Sequence, residues 1–296
     1  MKIFLVGDNP FHTISHLSQD RARSRVGKQT DPDYAAGLIG TAVENGANGF
    51  LFSVSDITLA ILRELKKRDS IDGMALYPIV PYAYEYVRLA TQVGGMPGLA
   101  KVFAKRLVSS GCFRVMARGL NGVLRANPSS LLKAYLAYEL NRVEAAAGKE
   151  AEVKSIILHE VVVDVALALK MEWFFREYWS FTVKRSLFPG FNTCNFALLV
   201  RQLNDWHFSL DDVVIAAPFN KIGFQMNPTK QACEEALCSL PAPGLVAISV
   251  LAGGYLKLPE AVDYIAGLSN VKGVAIGISK EEHARQTFKL INDQLS

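Results

Sequence analysis

Cysteine is scarce in this sequence, and the positions of the four cysteines argue against a disulfide-stapled scaffold. Cys112 and Cys194 are isolated, whereas Cys233 and Cys238 lie on one predicted helix. No second pair is present to complete a zinc site of the usual spacing. We therefore expect a reducing, cytoplasmic setting.

Long apolar runs and a strong charge bias are also missing. No stretch of about 18 residues is apolar throughout, which argues against a membrane-spanning helix. The first apolar run, at residues 2–7, is too short for a signal peptide and lacks a cleavage site of small residues. A net charge of +4 is too small to indicate a nucleic-acid partner. Half of the 296 residues are hydrophobic, so the chain can bury a large core.

Acidic residues are absent between Glu85 and Glu139, although cations are frequent there. The cations of this stretch are Arg88, Lys101, Lys105, Arg106, Arg114, Arg118, Arg125 and Lys133. We interpret residues 83–152 as a basic helical insertion. Three roles stay open: a loop elaborated over a barrel mouth, a lid for an anionic ligand, or a surface at 88–133 that docks on a membrane or a protein partner.

The second half of the sequence repeats one unit of a short apolar run, a small polar cluster and an amphipathic helix pattern. The runs begin at Val153, Phe188, Val213, Leu245 and Val271. Apolar runs without alternation are typical of parallel strands buried on both faces. Their spacing of roughly 30 residues favours a closed (β/α)8 barrel. Three more strands are predicted at 2–7, 49–55 and 74–82, which makes the whole chain a single TIM barrel domain, 1–296.

The active site of such a barrel lies where the strands end at their carboxyl termini. Polar residues follow all eight predicted strands. The candidates for catalysis are His12, Tyr82, His159, Glu160 and Lys221. The candidates for binding a substrate or cofactor are Asn192, Asn220, Ser249, Gly277, Ser279 and Lys280.

Each candidate has a chemical and a structural interpretation. His159 could be a general acid or a hydrogen-bond donor, or a structural histidine whose polar atoms are simply paired. Glu160 could be a base, or could only brace a Lys or Arg. With His12 and His16, His159 and Glu160 could instead bind a divalent metal, provided that the loop after the first strand is helical. Lys221 could form a Schiff base, although a solvated or anion-binding lysine fits its loop position better.

The segment from Gly277 to His283 ends the eighth predicted strand and begins the last helix. Backbone N–H groups at such a helix start can bind a phosphate. An ordinary capping box between Ser279 and Glu282 explains the same residues without a ligand.

From the fourth strand onward, the order of motifs resembles the aldo/keto reductase superfamily. His159 matches its strand 4 histidine, and residues 190–196 are similar to its Gly-x-Ser-Asn-Phe turn. Residues 249–256 resemble its Ser-Pro-Leu-x-x-Gly-x-Leu element, and residues 275–283 its strand 8 segment for the cofactor's phosphate. The resemblance implies a barrel and a divergent reductase acting on a small polar or phosphorylated carbonyl or sugar, with NADP(H) as the candidate cofactor.

The first half departs from that family. Its strand 2 Asp falls near Ser53, its strand 3 Lys falls near Val80, and no Tyr follows at the matching distance. Another residue, Tyr82 or His12, would then have to donate the proton. The alternatives are a metal-assisted or Schiff-base lyase or isomerase, or a non-enzymatic binding barrel. In each case we expect a small-molecule ligand, and an anionic one because of the basic insertion.

Overall fold

The computed structural model describes residues 2–12, 30–82 and 128–295. Within these ranges, all strand pairings are parallel, between β1 (Ile3–Gly7), β2 (Gly49–Ser53), β3 (Ala75–Val80), β4 (Glu152–Val153), β5 (Ser155–Leu158), β6 (Phe188–Asn192), β7 (Val214–Pro218), β8 (Leu245–Ile248) and β9 (Val271–Gly277).

The α-helices of the same ranges are α1 (Pro32–Glu44), α2 (Asp56–Lys67), α3 (Pro128–Ala147), α4 (Glu160–Ala168), α5 (Glu172–Val183), α6 (Phe196–Asp205), α7 (Lys230–Cys238), α8 (Leu258–Ala266) and α9 (Glu281–Leu295). Two short 3-10 helices cover Asn9–His12 and Ala252–Gly254. No helix of the described ranges has the length and apolar character needed to cross a membrane.

The sheet closes on itself, as the sequence predicts. β1 pairs with both β2 and β9, so the first and last strands are neighbours. The short β4 and β5 both pair with β3 and share one position of the ring, which gives eight positions for nine strands. At the closure, Gly273 faces Ile3, and a β-carbon on Gly273 would overlap the Ile3 carbonyl oxygen. The absence of a side chain therefore lets the two strands approach.

Local sequence signals set the helix starts. Asp31 caps α1 by accepting a hydrogen bond from the Asp33 N–H, and a proline occupies the first turn. Ser55 and Thr58 cap α2 reciprocally, so that two otherwise unpaired N–H groups are satisfied. Both predicted helix starts, at 31–32 and at 56, are confirmed.

The core has two layers because strand side chains alternate in direction. One buried cluster, formed by Leu5, Leu51, Tyr77, Ile79, Ile157, Val214, Val246 and Ala275, fills the barrel interior. A larger cluster packs the outer strand faces against the helices. Near the strand ends the inward-facing positions become small or polar, and the interior opens there.

The predicted insertion at 83–152 overlaps a helix of the barrel. α3 contacts α2, α5 and β3, and Lys133 pairs with Glu177 of α5. α3 therefore occupies the helical position between the third and fourth ring positions, and it belongs to the outer layer. Residues 83–127, which carry most of the predicted basic surface, lie outside the described ranges.

One side chain of α5 enters the sheet itself. The hydroxyl of Tyr178 lies 2.6 Å from the Ile156 carbonyl oxygen of β5 and 2.7 Å from that of Gly190 in β6. It also accepts a hydrogen bond from the Gly190 N–H. Burial raises the pKa of the Tyr178 phenol above its ordinary value, so the hydroxyl keeps its proton. α5 is thereby fixed to the contact between two strands.

Candidate active site

A cavity of about 470 Å³ opens at the carboxyl ends of the strands. Its volume lies within the range of small-molecule sites. Polar or small residues that line it include Gly7, Asp8, Asn9, Ser53, Tyr82, His159, Glu160, Asn192, Gln225, Ser249, Gly253, Gly254, Gly277, Ser279 and His283. The strand ends thus bring polar residues from many elements to one mouth, where the sequence places most of its candidate residues.

His159 follows β5 directly, where it lines the cavity and caps α4. Its Nδ1 accepts a hydrogen bond from the Val161 N–H at 3.2 Å, which leaves the ring proton on Nε2. Burial lowers the pKa of His159, although the carboxylates of Glu160, Asp8 and Asp164 oppose the shift. At neutral pH the ring is therefore uncharged and offers Nε2–H as a donor.

Asp8, His12 and Tyr82 form a second group of polar side chains. Asp8 is only 5% exposed, and its Oδ2 accepts a hydrogen bond from the Ser53 N–H at 2.7 Å. The same oxygen lies 3.1 Å from Nε2 of His12. The imidazole in turn stacks on the ring of Tyr82, with centroids 4.9 Å apart. The ends of β1 and β3 and the first 3-10 helix bring these three residues together.

Asn192 ends β6 and lines the cavity. It lies beside His159, because the residues that precede them, Phe191 and Leu158, are paired in the sheet. Its side-chain oxygen is buried and has no hydrogen-bond partner among the described residues. Buried amide oxygens normally accept a hydrogen bond, so the Asn192 oxygen is available to a donor of a bound ligand.

Cys194 lies beside the mouth, in surroundings that favour the protonated thiol. Burial raises the pKa of its thiol to about 12, and the carboxylates of Glu160 and Asp164 add to the effect. Its Sγ lies 3.6 Å from a Glu160 oxygen, to which it donates. Because the thiolate is the reactive form of cysteine, we assign the chemistry of this mouth to the other polar groups.

The structure does not bring Asn220 and Lys221 to the cavity, so their predicted positions are corrected. The Asn220 side chain is fully buried and exchanges two hydrogen bonds of 2.8 Å with the backbone of Phe224. Lys221 points outward and pairs with Glu260 at 2.7 Å, with both side chains about half exposed. A buried turn and a surface ion pair explain both residues, and Lys221 is not placed to form a Schiff base at the site.

Lys280 also lies outside the cavity lining, whereas Ser249, Gly277 and Ser279 are part of it. Lys280 is exposed at the start of α9. The capping box that the sequence left open as an alternative does not form, because α9 begins at Glu281 and Glu282 accepts instead from Gln286 within the helix. The carboxylates of the first turn therefore face solvent.

Sequence reasoning missed Gln225 in the loop after β7 and the Gly-Gly pair in the loop after β8. Gln225 lines the cavity with a left-handed φ of 60°, and the predicted Ser249 does so with a φ of 51°. Gly253 and Gly254 also have left-handed φ and bring bare backbone to the cavity. No period or motif indicates a left-handed glutamine, but the Gly-Gly pair after the seventh predicted strand was a usable signal.

Asp8 directly follows the first strand, as His159 follows the fourth ring position, yet sequence reasoning gave it no role. A metal site finds no support: among residues 2–12, 30–82 and 128–295, no three His, Cys, Asp or Glu side chains are grouped to hold an ion. His16, the other histidine of the metal hypothesis, lies outside the described ranges.

Comparisons with known proteins agree with this geometry at the level of the fold. No protein-family model and no curated sequence matches the chain. Among solved structures, a Pseudomonas aeruginosa protein assigned as an aldo-keto reductase is 10% identical, with a TM-score of 0.61 over 99% of this chain and 91% of its own. The holo form of an aldo-keto reductase from Bacillus halodurans is 12% identical, with a TM-score of 0.53 over 88% and 82%. These likenesses show that the chain shares the TIM-barrel fold of those proteins.

Proposed function

We propose that this protein is a divergent oxidoreductase that interconverts a small polar carbonyl compound and its alcohol at the barrel mouth. The observation that carries the proposal is the state of His159: its Nδ1 is occupied by the α4 backbone, so Nε2–H is the hydrogen that it can offer to a ligand in the cavity. A neutral imidazole donor suits a carbonyl oxygen that gains negative charge during reduction.

The mouth fits the nicotinamide part of a dinucleotide cofactor, and we propose NADP(H). The buried oxygen of Asn192 that lacks a partner is suited to a carboxamide N–H. Gly253 and Gly254 leave the backbone open to a flat ring or a pyrophosphate. Lys280 is the candidate partner for a 2′-phosphate beyond the cavity. When bound, the cofactor supplies or accepts the hydride.

The chain's own residues hold the substrate oxygen and move its proton. His159 Nε2–H binds and polarises the oxygen. Tyr82 lines the same cavity and is the proposed proton donor. Glu160 lies at the first turn of α4, where the helix end stabilises its charge, and it can bind substrate hydroxyls.

The charge of the lining bears on the substrate. Its described part contains the carboxylates of Asp8 and Glu160 and no Lys or Arg. We therefore propose an uncharged hydroxylated aldehyde or ketone, such as a sugar. An anionic or phosphorylated substrate would depend on the cations from Arg88 to Arg125, which lie outside the described ranges.

Titration of the protein with NADPH and NADH, followed by nicotinamide fluorescence, tests the cofactor. Oxidation of the reduced cofactor with paired phosphorylated and unphosphorylated hydroxyaldehydes tests the reaction and the charge preference. The matched control is His159→Asn, which retains a capping acceptor and lacks the Nε2 donor. A folded wild-type protein that binds neither cofactor would contradict the proposal.

The basic segment motivates a separate proposal, that residues 88–133 dock on an anionic membrane or protein surface. Its support is the run of cations without an acidic residue. Flotation with phosphatidylserine vesicles at low and high salt tests it, because electrostatic docking weakens as salt increases. Equal recovery with neutral and anionic vesicles would contradict it.

A further inference from the structure

We propose that Asp8 is a positioning residue for proton transfer: it holds the imidazole of His12 against the ring of Tyr82, which lines the cavity. The inference rests on the proposed function, because it concerns the proton donor of that reaction. In the transfer, the O–H bond of Tyr82 breaks, its proton joins the alkoxide oxygen of the reduced substrate, and water at the mouth returns a proton to the tyrosinate.

Two contacts hold the Asp8 carboxylate in one place. It accepts from the Ser53 N–H at 2.7 Å, which fixes it to the end of β2, and it lies 3.1 Å from the His12 ring. A buried carboxylate is costly unless it is paired. An asparagine could keep the Ser53 hydrogen bond at lower desolvation cost, so the negative charge itself calls for a function.

His12 transmits this placement to Tyr82. The His12 side chain is only 3% exposed and is absent from the cavity lining, whereas Tyr82 lines it. The two rings are stacked with planes 30° apart. Because His12 is absent from the lining and stacks on Tyr82, it acts through Tyr82 rather than on the substrate. Asp8 is itself part of the lining, and through its contact with His12 it also positions Tyr82.

Asp8 also lies within electrostatic reach of His159, whose pKa it raises against the larger effect of burial. One carboxylate therefore influences both groups that the proposed reaction uses, the donor that polarises the oxygen and the donor that protonates it. Sequence reasoning placed the family's strand 2 aspartate near Ser53, and in the structure a carboxylate from β1 lies against that residue.

The test is Asp8→Asn, with Asp164→Asn as the matched control. Asp164 also acts on His159 and hydrogen-bonds Thr193, but it makes no described contact with His12. The ring ¹⁵N resonances of His12, assigned with His12→Gln, report its contact with Asp8 without any substrate. Turnover and KM for carbonyl reduction report the catalytic effect.

We expect Asp8→Asn to move the His12 resonances and to lower turnover by ~100-fold at nearly unchanged KM, the size of a lost acid–base contribution. Asp164→Asn should leave the His12 resonances in place. Tyr82→Phe should lower turnover similarly. If Asp8→Asn does not fold, His12→Phe is measured instead, because it keeps the stacked ring but loses the contact with Asp8, and its turnover should fall to a similar extent.

Unmoved His12 resonances in Asp8→Asn would overturn the inference, as would wild-type turnover in Asp8→Asn or Tyr82→Phe. A wild-type protein that reduces no carbonyl contradicts the proposed function instead. The His12 spectra then still show whether Asp8 holds the ring, so the two failures are distinguishable.

Discussion

His159 combines a catalytic and a structural role in one ring. Its Nδ1 caps α4 and its Nε2–H is the proposed donor, so replacement by alanine removes both. Asparagine is among the best capping residues, and it supplies an oxygen near the place of Nδ1. The two roles can therefore be separated by the choice of substitution.

We expect His159→Asn to lower turnover by ~100-fold while its unfolding free energy stays close to that of the wild type. His159→Ala should lose the same activity and about 1 kcal/mol of stability, because the α4 cap is lost. Denaturant unfolding and steady-state rates on the same preparations measure both effects. Residual activity that follows only the folded fraction would assign His159 a purely structural role.

The lowered pKa of His159 also makes stability depend on pH. Burial keeps the imidazole of the folded protein neutral, whereas the imidazole of the unfolded chain takes up a proton when the pH falls below its ordinary pKa of 6.5. The unfolded state then binds more protons, so stability decreases as pH falls through that value. We expect the unfolding free energy of the wild type to fall more steeply from pH 7 toward pH 5 than that of His159→Asn. Parallel pH profiles would contradict this assignment.

At the scale of the element, the turn from Asn220 to Met226 shows how a loop can present a side chain to the cavity. Asn220 binds the backbone of Phe224 through both atoms of its amide, and Gly223 N–H donates to the Asn220 carbonyl. Gln225 is thereby held in a left-handed conformation at the mouth.

We expect Asn220→Ala to cost about 2–3 kcal/mol, because two hydrogen bonds are lost and backbone groups of Phe224 are left without partners. Gln225→Ala, in the same turn but exposed, should change stability by less than about 0.5 kcal/mol. Urea unfolding of the two variants checks the contrast. A small loss in Asn220→Ala would mean that water replaces the amide.

The sequence predicts element types better than side-chain directions. Apolar runs and capping residues locate the strands and the first two helix starts, because those signals are local. The directions of Asn220 and Lys221 depend on a turn with left-handed residues and on Glu260, 39 residues away. The relation of Asp8 to His12 and Tyr82 likewise depends on contacts between separate strands. Contacts between residues far apart in the chain produce no periodic pattern that the sequence could show.

At the scale of the whole molecule, closure of the ring is the feature on which the cavity depends. Most of the described lining residues are held by a strand end or by the loop that follows it, so opening the contact between β1 and β9 would disperse the site. Gly273 makes that contact possible, because its α-carbon approaches the backbone of Ile3.

We expect Gly273→Ala to destabilise the barrel by about 3 kcal/mol, the upper part of the usual range for overpacking. Gly40→Ala is the matched control: its β-carbon would lie 3.7 Å from Ser70, an ordinary contact, and alanine favours the helix. The midpoints of thermal and denaturant unfolding should decrease for Gly273→Ala and increase for Gly40→Ala. Equal stability would show that the β1–β9 contact adapts.

The hydroxyl of Tyr178 couples the hydrogen exchange of one strand amide to the motion of a helix. The Gly190 amide hydrogen is bound to the Tyr178 hydroxyl, a side chain of α5. Its exchange with solvent deuterium therefore requires α5 to leave the sheet, even where the strands themselves stay paired. The strand that ends in Asn192 and the helix that covers it consequently open as one cooperative unit, and the exchange rate of a single glycine amide reports how often that part of the mouth comes apart.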